Sequence, residues 1–283
     1  MSIRIITDSA SDITQAEAKE LDLTVIPLKT IFGEQEYLDG VTLDHETFYH
    51  KLIESDLLPT TSQIAPFEYE ERFREAIEQG DEVLCITLSS KLSGCHQSAC
   101  IAAGEFPGKV VVVDSQNVAI GERILIQLAC QLRGEGKTAA EIRDILNEKK
   151  RHIRLIALLD TLEYLKKGGR VSSAAALAGS LLSIKPVIAV KEGEVAILGK
   201  ARGSKNGNNM LMDLVNKSGG INFELPFALA YTGLDDSLLR KYIADSASLY
   251  EGKTACLPVY PIGSTIGTHV GPGAIAVAFF SNN

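Results

Sequence analysis

Glu82-Val83-Leu84-Cys85-Ile86-Thr87-Leu88-Ser89-Ser90-Lys91-Leu92-Ser93-Gly94 is an apolar run of strand length that passes directly into a Ser/Gly turn. The Ala-rich stretch that follows, 95–104, reads as a helix. Ser93 and Gly94 then stand at a helix N-terminus, where unpaired backbone N–H groups and the positive end of the helix dipole favour an anion. Working outward, residues 3–7 form a short apolar strand that ends in Asp8-Ser9-Ala10-Ser11-Asp12. Residues 109–113 form another that ends in Asp114-Ser115. Strands alternating with helices imply a parallel sheet, and such sheets bind ligands beyond the carboxyl ends of their strands. Small polar side chains from three strand ends should gather at that edge.

The first half of the chain follows the same rhythm. Thr14-Gln15-Ala16-Glu17 fits a capping box and opens a helix, and 23–28 reads as a strand. A turn-rich section with Gly33 and Gly40 leads to helices over 46–53 and 67–77, the second with Tyr69, Phe73, Ala76 and Ile77 on one face. Between them Pro59-Thr60-Thr61-Ser62-Gln63 reads as a hydroxyl-rich loop. An apolar helix covers 118–132, and Thr138-Ala139-Ala140-Glu141 caps another.

Beyond that point the pattern changes. Residues 153–159 read as a strand, 162–167 and 173–182 as helices, and 187–190 pairs with 195–198 across Glu192-Gly193 as a hairpin. Helices beginning at Asn208 and Asp235, and strands over 227–231, 254–259 and 274–280, complete the chain. The expected architecture is α/β: a Rossmann-like parallel-sheet domain over 1–150, then an α+β domain with a mixed or antiparallel sheet over 151–283.

With 283 residues, 45% of them hydrophobic, the chain is long enough for two cores. The net charge of −8 argues against nucleic acid or an anionic membrane face as partner. Asp8 and Asp12 interrupt the N-terminal apolar stretch before a signal peptide could form, and no apolar run approaches a membrane span, so a cytoplasmic protein without stable membrane insertion is expected. Five cysteines, Cys85, Cys95, Cys100, Cys130 and Cys256, are odd in number and contain no C-x-x-C pair; they read as buried small residues rather than disulfides or zinc ligands.

Several motifs fail on inspection. Gly271-Pro272-Gly273-Ala274-Ile275-Ala276 fits G-x-G-x-x-A in letter but leads into a strand, with ten residues left after Gly273. Gly134-Glu135-Gly136-Lys137-Thr138 has Gln131 where a P-loop needs its first glycine. There is no G-x-S-x-G and no H-E-x-x-H, and the five histidines show no metal spacing, so neither a metal nor a cofactor is expected. No base is identifiable beside Ser89, Ser90 or Ser93, and capping is the ordinary role of such serines. Lys91 reads as a solvated turn residue, and Lys166, Lys167 and Arg170 as a basic helix C-terminus rather than a docking patch. Gly263-Ser264-Thr265-Ile266-Gly267-Thr268-His269-Val270-Gly271-Pro272-Gly273, by contrast, packs four glycines around one histidine, as backbone that closely approaches a ligand requires.

Thr7-Asp8-Ser9-Ala10-Ser11-Asp12, Thr61-Ser62-Gln63, Leu88 to Gly94, Lys167-Gly168-Gly169-Arg170 and Gly267 to Ala274 together resemble the DegV family of fatty-acid-binding proteins, in order and over essentially the whole chain. The resemblance implies a non-enzymatic carrier with a long-chain fatty acid, such as palmitate, between two domains. It places the carboxylate on Thr61, Ser93, Gly94 and His269, with Ser62, Thr268 and Cys95 adjacent. It also implies presentation of the acid to a fatty acid kinase for acyl-phosphate formation, assisted by an arginine whose position here is Arg202. Cys95-His96 stand where the family often has Thr-Tyr, which bears on the pocket beside the carboxylate. Ala276 stands where the family often has Gly, which reads as strand packing only. From the residues alone, a phosphotransferase or other small-molecule enzyme using the same helix N-terminus stays as the alternative, as does a plain interaction or regulatory protein. A nucleotide site, however, would want a lysine and Mg²⁺-binding acids that are not found there.

Overall fold

The structure, a computed structural model, describes residues 2–55, 57–171, 184–250 and 254–282. The chain opens with β1 (Ile3–Asp8), α1 (Gln15–Glu20) and β2 (Leu23–Ile26). Thr14 caps α1 in the capping box expected, its hydroxyl accepting from the Glu17 N–H. Next come β3 (Lys29–Phe32), β4 (Gln35–Leu38), α2 (His45–Glu54), β5 (Thr60–Ser62) and α3 (Pro66–Glu78). Two expectations change here. The turn-rich section around Gly33 is a hairpin, and the hydroxyl-rich loop is a short strand that adds to it, with Thr61 opposite Thr30. All three strands, three or four residues long, are too short for alternation to reveal them.

β6 (Glu82–Thr87), α4 (Cys95–Ala103), β7 (Val110–Asp114), α5 (Ile120–Gly134) and α6 (Ala139–Lys149) complete the first half. Four strands form a parallel sheet in the order β2-β1-β6-β7. The chain leaves β1 toward β2 on one side and later continues through β6 and β7 on the other. The strand order therefore reverses between β1 and β6, and a crevice opens beyond their carboxyl ends.

After a turn at Lys150–His152, where the proposed division at residue 150 lies, the chain enters β8 (Ile153–Leu158) and α7 (Glu163–Lys167). The helix expected over 173–182 lies outside the described residues. Then follow β9 (Ile184–Lys191), β10 (Glu194–Arg202), α8 (Gly203–Lys217), β11 (Ala228–Tyr231), α9 (Ser237–Asp245), β12 (Val259–Pro261), α10 (Ser264–Val270) and β13 (Ile275–Phe280). The six strands form one mixed sheet in the order β10-β9-β8-β13-β11-β12, antiparallel except between β11 and β12. The hairpin turns at Glu192 and Gly193, both at positive φ, as a two-residue turn matched to strand twist requires. A strand over 254–259 is not formed: Thr254–Cys256 is a short 3-10 turn, and only Val259 of that stretch pairs. The Gly-rich terminal segment, expected as a loop, contains α10.

The two sheets share a core. Ile124, Leu125 and Leu128 of α5 belong to the same buried cluster as Ile5, Ile86, Leu155, Ala230 and Phe280. Arg123, 1% exposed, pins the halves together: its guanidinium donates to the Asp12 carbonyl at 2.8 Å, pairs with Glu17 and lies 3.5 Å from the ring centre of Tyr260. Not every cysteine is the buried filler expected. Cys85 and Cys95 are buried, Cys130 is half-buried, and Cys100 and Cys256 are exposed. Among the described residues no helix is long and apolar enough to cross a membrane.

Candidate functional site

The strand ends are tied by carboxylates. Asp8, at the end of β1, accepts from the N–H of Ala10 at 3.1 Å and from that of Leu88 at 2.9 Å, which locks β1 to the turn after β6. Asp114, at the end of β7, accepts from the Ser90 hydroxyl at 2.5 Å and from the Gln116 N–H at 2.9 Å. Ser89 donates to the Gly193 carbonyl at 2.7 Å, so the tip of the β9–β10 hairpin rests on the same turn. The turn is thereby fixed from three sides before it reaches Ser93. The Ser93 hydroxyl accepts from the Cys95 N–H at 3.3 Å, and Gly94 is the N-cap of α4.

β5 packs against this helix start. A side chain at Gly94 would collide with the amide of Gln63, whose nitrogen donates to Ser98 at 3.3 Å. Close approach, rather than a special φ, accounts for this glycine. One residue from Gln63's neighbour, Thr61 places its hydroxyl 2.9 Å from Nε2 of His269. His269 lies in the last turn of α10, and α10 is held at its other end by Asp39. That buried carboxylate accepts from the N–H and hydroxyl of Ser264, at 2.9 and 2.8 Å, and from the N–H of Thr265 at 3.3 Å, while Asp12 accepts from the Gly263 N–H at 2.7 Å. At mid-helix Gly267 lies flush on Phe48 and Tyr49, where a Cβ would fall 2.4 Å from the Phe48 ring.

Arg170 is the residue that sequence reasoning undervalued. The basic run 166–170 reads as a plain helix end, and Lys166 and Lys167 are indeed exposed. Gly169, however, adopts φ +72° and turns the chain back, so that Arg170 donates to the carbonyls of Leu92 at 3.2 Å and Gly168 at 2.5 Å. A cation directly after paired glycines was the available signal. Lys91 is exposed, as expected.

These groups meet at one end of a cavity with about 1230 Å³ of empty space, part of it open to solvent. Its polar lining includes Thr61, Ser62, Ser93, Gly94, His269 and Arg170. Three candidates lie elsewhere. Thr268 is buried within α10 and donates to the Ser264 carbonyl at 2.8 Å. Cys95 is buried behind Ser93, its sulfur accepting from the Ile64 N–H at 3.4 Å, and burial pushes its thiol up to about 11. Arg202 is exposed at the end of β10, outside the lining. Apart from Gln63, Thr232 and Thr265, the remaining described lining is mostly apolar, walled by side chains such as Leu155, Leu159, Leu165, Ile188 and Val195. Ala276, read as a matter of strand packing only, is part of that lining.

The electrostatics suit a single negative charge. Burial, and secondarily the Arg170 guanidinium, pushes the His269 imidazole down to about 4, so the ring is neutral at pH 7 and offers one N–H. Burial raises Asp8 to about 7 and pushes Asp12 and Glu122 well above the ordinary carboxylate range. The acids beneath the site are thereby held near neutrality or tied to N–H groups. Among the described residues no group of three or more His, Cys, Asp or Glu side chains is placed to hold a metal ion.

Comparison with known proteins agrees with this architecture along the whole chain. The family model described as "Uncharacterised protein, DegV family" matches residues 2–282. A DegV domain-containing protein of Clostridium acetobutylicum is 34% identical over 280 residues, covering 98% of each chain. Among solved structures, a DegV family protein from Thermus thermophilus, described as binding fatty acid, superposes with a TM-score of 0.86 at 33% identity, covering 99% of this chain and 100% of that one. A protein from Eubacterium ventriosum, described as binding stearic acid, gives a TM-score of 0.85 at 26% identity over 98% of this chain and 97% of its own. With the family model matched over residues 2–282, a relative 34% identical along the whole chain and the same fold, the chain belongs to the DegV family.

Proposed function

We propose that the protein binds a long-chain fatty acid, with its carboxylate between Thr61, Ser93, the Gly94 helix start and His269, and its tail along the apolar cavity. The observation that carries this reading is the joining of one small polar end to a long apolar wall within a single cavity. Relatives with the same fold are described as fatty-acid-binding proteins. The Thr61 hydroxyl and Nε2 of His269 share a hydrogen bond at 2.9 Å; in the tautomer in which the neutral ring donates, the hydroxyl hydrogen of Thr61 is left for the ligand. Ser93 donates alongside it, and among the described lining residues Arg170 alone carries a full positive charge, so the head is not met by neutral donors alone.

The two ends of the ligand do different work. Burying about 14 methylenes at ~0.8 kcal/mol each contributes on the order of 11 kcal/mol, against ~1.5–3 kcal/mol for each hydrogen bond to the charged head. Association and ordering cost ~4–15 kcal/mol, which leaves a reversible affinity. The tail therefore supplies affinity and the head sets orientation. In this reading the protein is a carrier rather than an enzyme, a cytoplasmic protein with two domains divided near residue 150, and palmitate is one acid of suitable length.

The carrier would present its acid to a fatty acid kinase, with exposed Arg202 meeting the partner or the transferred phosphoryl group. Arg202→Ala is expected to keep fatty acid binding unchanged and to slow acyl-phosphate formation by a partner kinase; equal transfer rates would remove Arg202 from the step. The binding itself is tested by native mass spectrometry of the purified protein. A co-purifying mass of a long-chain acid is the expected result. A nucleotide in its place would instead favour the phosphotransferase reading.

A further inference from the structure

The mixed sheet faces the cavity with a row of alanines. Ala230 of β11 stands opposite Ala276 of β13, Ala276 stands opposite Ala157 of β8, and Ala157 stands opposite Ile188 of β9. In antiparallel pairs directly opposed side chains share a face about 4.5–5.5 Å apart, so these residues form one rung across the sheet. All four line the cavity. On β8 and β9 the side chains that return to the same face two residues along are larger, Leu155 and Val190 on one side of the rung and Leu159 on the other, whereas on β13 and β11 the next same-face pair, Ala278 and Ala228, is again small. Successive same-face rungs lie roughly 6.5–7 Å apart. The result is a furrow floored by methyl groups, walled on β8 by Leu155 and Leu159 and closed at the β9 side by Ile188.

Burial singles out the middle of the furrow. Central strands of a sheet are ordinarily sealed on both faces, yet Ala157 and Ala276, on the two innermost strands, are only half-buried. Ala230 beside them is fully buried. The uncovered surface of the two alanines faces the cavity they line.

We infer that the Ala157–Ala276 pair sets which acyl chains this protein accepts, Ala276 acting as the specificity-determining residue by fixing the depth of the furrow under the tail. The inference rests on the fatty-acid reading above. A larger residue at 276 fills the furrow and acts on the part of the tail that crosses it, so the penalty grows with chain length and leaves the head contacts intact. Glycine at 276 deepens the furrow and admits a chain that needs more room, such as one bent by a cis double bond.

The test compares the parent protein with Ala276→Val and Ala276→Gly, using calorimetric titration of dodecanoic, hexadecanoic, octadecanoic and cis-octadecenoic acids into delipidated protein. Ala276→Val is expected to weaken octadecanoic acid by about tenfold or more, with a smaller loss for dodecanoic acid. Ala276→Gly should shift preference the other way, raising cis-octadecenoic relative to octadecanoic acid by at least about threefold, a small part of what one methylene is worth in an apolar pocket. The glycine variant keeps the test decisive if the valine variant does not fold. An unchanged ratio between acids in the folded variants, or an equal loss for all of them, would overturn the inference. A parent protein that binds none of the acids would instead overturn the carrier reading itself.

Discussion

At the polar end of the cavity four segments far apart in the chain each bring one or two side chains, from β5, the turn before α4, the turn after α7, and α10. At the apolar end neighbouring strands of one sheet present side chains at alternate positions, and the ladder hydrogen bonds that any strand makes fix their spacing. The polar end depends on point contacts such as Asp39 to Ser264 and Asp8 to Leu88. The apolar end depends on volume. Loss of one partner should therefore disable the first, whereas only a change of shape should affect the second.

The largest expected effect is at Asp39, which lies outside the cavity lining but holds the helix that carries His269. Asp39→Ala removes the acceptor for two N–H groups and for the hydroxyls of Ser9 and Ser264 at a position 3% exposed. Denaturant unfolding should show a loss of roughly 3–5 kcal/mol, the range for breaking a buried charged network. A loss under about 1 kcal/mol would mean that α10 is held by packing alone, and the contrast between the two ends would weaken.

His269 gives the next effect through pH. Its folded value of about 4 lies below the ordinary 6.5, so between those values the unfolded chain binds the proton and the folded chain does not. Stability from this group is complete above about pH 6.5 and is lost as pH falls toward 4, by roughly 3 kcal/mol in all. Asp8 acts with the opposite sign. Raised from 3.8 to about 7, it keeps its proton in the folded state, and the stability it contributes below about 4 is lost as pH rises through 7. His269→Gln separates the two: the parent's stability relative to the variant should rise with pH between 4 and 6.5. A flat difference would contradict the buried, neutral ring.

The smallest effect is expected at Arg170. Arg170→Ala should weaken hexadecanoic acid by about tenfold, at the low end for a charged hydrogen-bond partner because the side chain is partly exposed. The same change should raise the His269 titration, read by NMR, since the guanidinium holds it down. Unaltered affinity together with an unaltered titration would remove Arg170 from the polar end.

How much of this was legible in the sequence follows from the same division. Ser93, Gly94, Thr61 and His269 stand in short polar and glycine motifs that have little reason to exist in a core, and the structure brings these four to one cavity lining, while the strand-end acids Asp8 and Asp114 tie the strands outside it. The capping boxes at Thr14 and Thr138 were legible because both partners are local. Arg170 was hidden by a composition that any helix end shares; its inward turn depends on Gly169 and on a carbonyl 78 residues away in sequence. The furrow was hidden more deeply. Ala157, Ala230 and Ala276 look like ordinary strand residues, and only the register of three antiparallel strands makes them neighbours. β3, β4 and β5 were missed because their pairing, not their own pattern, makes them strands.

In the proposed carrier one cavity holds a charged head at the parallel-sheet edge and an acyl tail against the mixed sheet. A crystal structure of the protein with hexadecanoic acid tests it most directly. The expected result is a carboxylate oxygen about 3 Å from the hydroxyls of Thr61 and Ser93, with the tail passing over Ala157 and Ala276. A tail directed to solvent, or a carboxylate seated away from both hydroxyls, would contradict it.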